Sequence, residues 1–79
     1  MYLNFQTNVK FITENMSVFI EDVSDANSAF GVNELGEVVF FNSRIVSKMN
    51  IDIGHVVNAD CVPNYEDKRD KVQWRCIKV

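Results

Sequence analysis

The segment A-F-G-V-N-E-L-G-E-V-V-F-F-N-S, residues 29 to 43, decides how this chain is read. Two apolar, β-branched and aromatic runs flank the polar break E-L-G-E at 34–37. That pattern gives a strand at 29–33, a short hairpin connection in which Gly36 can take a positive φ, and a further strand at 38–42. Three phenylalanines fall within it. Side chains alternate between faces along a strand, so the segment poses a question of its own: which rings fill a core, and which face outward?

Working outward, the same period-two pattern continues. M-S-V-F-I-E-D-V at 16–23 reads as the preceding strand, and S-D-A-N-S at 24–28 as the turn after it. A helix over 21–30 competes there, but Ser24, Asn27 and Ser28 favour a loop. Beyond the opening segment, residues 43–48 lose alternation and read as a short helical turn, followed by a connection that ends at Gly54. Residues 55–62 alternate again, with Val57, Ala59 and Cys61 on one face and Asn58 and Asp60 on the other. Pro63 ends that strand, and the charged run Y-E-D-K-R-D-K at 65–71 forms a loop. Residues 72–79 make a fifth strand, with Val72, Trp74 and Cys76 on one face. Five strands, a helical turn after the third and a long loop after the fourth predict an all-β chain: a small five-stranded Greek-key barrel of the OB type. The domain is expected to span residues 16–79. Leu3, Phe5, Val9 and Phe11 mark residues 1–15 as an arm or additional strand, which could cover the barrel or pair with a second copy or another protein.

Composition narrows the function classes. The chain has 79 residues, 47% hydrophobic and 24% charged, with three glycines and one proline, as expected of one folded domain near the lower size limit for an unstapled core. The longest apolar run is residues 38–41, far short of the roughly 20 residues of a membrane-spanning helix, and no targeting signal is visible at the N-terminus. A cytoplasmic or nuclear location is expected. Cys61 and Cys76 lie in separate apolar segments and read as buried free thiols, with a disulfide open if their strands are neighbours. Eleven acidic against eight basic residues give a formal charge of −3, which argues against strong sequence-independent binding to phosphates. No nucleophile motif, metal-binding motif or phosphate-binding glycine loop occurs, so the chain is read as non-catalytic and without a cofactor. His55 follows a glycine at a strand entry and reads as exposed and structural. Trp74 reads as a core anchor.

The residues A-F-G-V-N-E at 29–34, V-V-F-F-N-S at 38–43, I-G-H-V-V-N-A at 53–59 and W-R-C-I-K-V at 74–79 resemble the cold-shock domain family, in particular its divergent eukaryotic members. The resemblance covers residues 18–79. In that family a K-G-F-G-F motif on the second strand and a V-F-V-H-F motif on the third present aromatics on which unpaired bases stack. Position by position, Phe30, Gly31 and Val32 fall on the first motif, and Phe40 and Asn42 on the second, which places Val39 and Phe41 inward. Ser28 stands where the motif has lysine, Val32 where it has a ring and Asn42 where it has histidine; the first strand has no counterpart of the family's tryptophan. The resemblance implies single-stranded nucleic-acid binding, RNA in preference to DNA. Phe30, Val32, Phe40 and Asn42 would form a reduced stacking face, and Arg44, Lys48, Lys68 and Arg69 would meet the backbone, with Lys71 and Tyr65 beside them. The competing expectation is a protein-interaction or assembly module on the same barrel, favoured by the acidic balance and the apolar N-terminal residues.

Overall fold

The computed structural model describes residues 13–79. Strands β1 (Glu14–Val23), β2 (Ala29–Val32), β3 (Val38–Phe41), β4 (Val56–Pro63) and β5 (Trp74–Lys78) close into a barrel in the order β1-β2-β3-β5-β4. Helix α1 (Ser43–Met49) joins β3 to β4, and a 3-10 turn (Glu66–Lys68) lies between β4 and β5. This is the small all-β, OB-type barrel expected from the sequence. Every pairing is antiparallel except β3 with β5, where Val39 meets Trp74 and Phe40 meets Arg75. No helix among the described residues is long and apolar enough to cross a membrane.

Closure depends on β1. Residues Glu14 to Phe19 pair with β4, residues Phe19 to Val23 pair with β2, and an irregularity between Ile20 and Asp22 bends the strand between its two partners. Gly31 permits the close approach of β1. A Cβ there would stand 2.6 Å from both the Phe19 carbonyl oxygen and Val18 Cγ1, so the neighbouring strand leaves room only for hydrogen. Inside the barrel, Val18, Ile20, Ala29, Val39, Phe41, Ala59 and Cys61 are wholly buried, and Val46 of α1 and Ile51 join the same cluster.

Several boundaries differ from the sequence reading, each for a local reason. β1 begins at Glu14, two residues before the expected start, because its first residues pair with Cys61 and Asp60. The remainder of the expected N-terminal arm or strand, residues 1–12, lies outside the described residues. Asn33 and Asn42 leave their strands to organise the turns that follow. The Asn33 Oδ1 accepts from the backbone N–H groups of Leu35 and Glu37, both at 2.9 Å, and Gly36 takes φ 79°. The Asn42 Oδ1 accepts from Ile45 N–H at 2.9 Å as the N-cap of α1. The helix extends to Met49 and is closed by Asn50 in the left-handed region at φ 53°. His55 precedes β4, where it is exposed and its Nδ1 accepts from Asp52 N–H. Pro63 occupies the last position of β4, at a strand end. The competing helix over 21–30 does not form: Glu21–Val23 belong to β1, and Ser24 to Ser28 form a turn closed by a 2.7 Å bond from Ser24 N–H to the Ser28 carbonyl.

β5 starts two residues later than expected, so Val72 and Gln73 belong to the loop. Gln73 still ties that loop to β3, its Oε1 accepting from Val38 N–H at 2.8 Å. Trp74 is half-buried against the core instead of enclosed by it, because its indole Nε1–H reaches out to donate to Glu37 Oε1 at 2.9 Å.

Candidate functional site

Strand alternation and register build one outward row across three adjacent strands. Phe30 of β2 lies opposite Phe40 of β3, and Phe40 lies beside Arg75 of β5. The inward neighbours Ala29, Val39 and Phe41 are wholly buried, whereas Phe30, Phe40 and Arg75 are all half-exposed. The two rings sit 5.4 Å apart at 55°, a tilted packing that leaves part of each ring in solvent. The opening question therefore resolves along a single strand pair: Phe41 is core, and Phe30 and Phe40 face outward.

The row forms the floor of an open groove of about 810 Å³ whose far wall is the loop after β4. Asn64, at the end of β4, is the buried hinge of that wall. Its Nδ2 donates to the Val72 carbonyl and its Oδ1 accepts from Tyr65 N–H, both at 2.9 Å, so both ends of the loop are tied to one side chain. Arg69 Nε adds a 2.9 Å bond to the Asn64 carbonyl. Tyr65, 59% exposed, lies under the Arg75 guanidinium, whose carbon stands 4.6 Å from the ring centroid. Lys68, Lys71, Asp67 and Asp70 also line the groove, giving three cations, with Arg75, against two carboxylates.

The expected site residues divide accordingly. Phe30, Phe40, Asn42 and Lys68 come together in the groove, as do Tyr65 and Lys71. Val32 pairs with Phe19 and Val38 and does not line the groove, while Asn42 also serves as the helix cap. Arg44 and Lys48 are exposed on α1, away from the groove lining. Arg69 also lies outside the lining and holds the loop backbone. Sequence reasoning missed Arg75 and Asn64. The alternation W-R-C signals that Arg75 points away from the face of Trp74 and Cys76, but its position beside Phe40 depends on the non-local parallel pairing of β3 with β5.

Among the described residues no three His, Cys, Asp or Glu side chains gather as a metal-binding group. Comparison with known proteins identifies no relative: no family model, curated protein or solved structure matches the chain.

Proposed function

We propose that this is a divergent cold-shock-like domain that binds single-stranded nucleic acid, RNA in preference to DNA, without catalysis. The observation that carries the reading is the outward pair Phe30 and Phe40 on the floor of a groove that also holds Lys68, Lys71 and Arg75. Exposed aromatic rings on adjacent strands offer successive bases a surface for stacking, at about 1–3 kcal/mol per base. Two rings and a near-balanced set of charges support weak binding. Phosphate contacts by all three cations would give a slope of about −2 in log affinity against log salt for a single strand.

A fluorescence-anisotropy titration with labelled single-stranded RNA and DNA, at low and near-physiological salt, tests this. Binding that weakens with salt and is lost in the Phe30→Ala, Phe40→Ala double variant, with the fold retained, is the expected result. Unchanged affinity in that variant refutes it.

A second reading, a protein-interaction module, is favoured by a different observation. On the outer wall of β1 and β4, Phe19 and Val56 are register partners and are 45% and 66% exposed. A stable dimer or partner complex indifferent to nucleic acid, together with no binding in the titration, would select this reading.

A further inference from the structure

Arg75 is the one member of the outward row that can read the edge of a base. Its Nε is buried without a hydrogen-bond partner, and the residue lines the groove that Phe30 and Phe40 floor. Tyr65 supplies a π face to the cation, and no hydrogen bond or ion pair within the described residues engages the Arg75 side chain. Neighbouring strands lie about 4.8 Å apart, so a base stacked on Phe40 places its edge within reach of the next strand's outward side chain.

We propose that Arg75 forms a base-edge subsite that selects guanine over adenine for the nucleotide stacked on Phe40. The inference rests on the reading of the groove as a single-strand site. A guanidinium carries only donors. Guanine presents two adjacent acceptors, O6 and N7, to such a fork, whereas adenine sets an amino donor beside its N7. Lysine, a point charge without a planar fork, would not make this distinction.

The test uses uridine RNA hexamers carrying one central guanosine, one central adenosine or none. The guanosine hexamer should bind about tenfold more tightly than the adenosine hexamer, the scale of one good bidentate pair. Arg75→Met and Arg75→Lys should both bring the guanosine-to-adenosine affinity ratio to about one, and Arg75→Met alone should also weaken the all-uridine hexamer, through the charge that lysine retains. Free guanosine monophosphate, which lacks the second stacked base, should compete much more weakly than the hexamer. Equal guanosine and adenosine affinities overturn the subsite, as does an equal loss for all three hexamers on Arg75→Met, which would make Arg75 a backbone contact. Monophosphate binding as tight as the hexamer overturns a strand-borne ligand. Absence of all hexamer binding refutes the nucleic-acid reading itself. Thermal midpoints of both variants show whether the fold is retained.

Behind the groove, Cys61 and Cys76 provide an independent observation. They are direct partners across β4 and β5, both buried and both free, and Cys76 also lines the groove. Directly opposed residues in an antiparallel pair have Cα atoms about 4.5–5.5 Å apart, inside the disulfide range of roughly 4.4–6.8 Å. We infer that the pair closes to a cross-strand disulfide on exposure to a small-molecule disulfide such as oxidised glutathione. The neighbouring Cys76 thiol, then burial, pushes Cys61 up, while the neighbouring Cys61 thiol holds Cys76, which lines the groove, lower. The Cys76 thiolate attacks glutathione disulfide and expels one glutathione thiolate. With Cys76 so capped, Cys61 gives its proton to the departed glutathione thiolate and attacks the Cys76 sulfur of the mixed disulfide, expelling the second glutathione, so two protein thiols are oxidised as one disulfide is reduced. After treatment of the folded protein, intact mass should fall by two hydrogens and the denaturation midpoint should rise, while Cys61→Ala should stop at a glutathione adduct. Two thiols still open to alkylation after denaturation, or an adduct that persists in the unsubstituted protein, would overturn the inference.

Discussion

Phe40 and Phe41 are adjacent, chemically identical and opposite in circumstance. Phe41 faces inward and is wholly buried with Val18, Ile20 and Val39, whereas Phe40 faces outward against Phe30 and is half-exposed. The inner face of β2 and β3 is accounted for by the barrel: a chain this short must use each inward position to fill its core. Folding makes no comparable demand on the outer face, where aromatic rings carry a cost in solvation that polar residues would avoid. That contrast makes the outer row a place to look for function.

Substitution should separate the two faces most strongly at this pair. Phe41→Ala removes a wholly buried ring and should cost about 3–5 kcal/mol, enough to unfold much of so small a domain; Phe40→Ala should cost about 1 kcal/mol or less in urea denaturation. Equal losses would place Phe40 in the core and end the distinction. Gly31→Ala probes the inner face without altering a ring. The added methyl meets the Phe19 carbonyl oxygen and Val18 Cγ1, so β1 must move, at a cost of about 1–3 kcal/mol. A change near zero in the same denaturation assay would mean that the seam between β1 and β2 gives way easily.

The inner face was also the more legible one in sequence. Alternation in A-F-G-V and V-V-F-F identifies Ala29, Val39 and Phe41 as inward, and the break at E-L-G-E places the hairpin. Strand ends were less legible, because Asn33 and Asn42 spend their side chains on local backbone groups where simple alternation continues the strand. At the site, Phe30, Phe40 and Lys68 could be nominated from local pattern, but Arg75 could not be placed beside them without the parallel register of β3 and β5. The charged loop shows the limit most plainly. Lys68 and Arg69 are adjacent and alike in charge, yet Lys68 lines the groove and Arg69 holds the Asn64 carbonyl.

Asn42 lies where the two faces meet, since it lines the groove and caps α1. Asn42→Ala should cost about 1 kcal/mol through loss of the cap, and Asn42→Ser should restore most of that stability. Nucleic-acid affinity that follows stability through both variants would give Asn42 a capping role alone. Affinity lost in both, with stability restored only by serine, would place its amide against the ligand.

The smallest expected effect concerns the turn at the end of the outer face, where Glu37 accepts from Asn33 Nδ2 at 3.0 Å and from Trp74 Nε1 at 2.9 Å. The Asn33 bond, then the Trp74 bond, lowers the Glu37 carboxyl below its ordinary 4.5. A carboxylate whose pKa is depressed by folding stabilises the native state above the unfolded value and loses that contribution as pH falls through the folded one. The unsubstituted protein and Glu37→Gln should therefore differ by a constant amount in denaturation stability from pH 7 down to about 5, and the gap should narrow below about 4.5 as the carboxyl is protonated. Gln keeps an acceptor for Trp74 but does not titrate in this range, so parallel pH profiles for the two proteins would show that the charge on Glu37 does not help to hold β5 to the turn before β3.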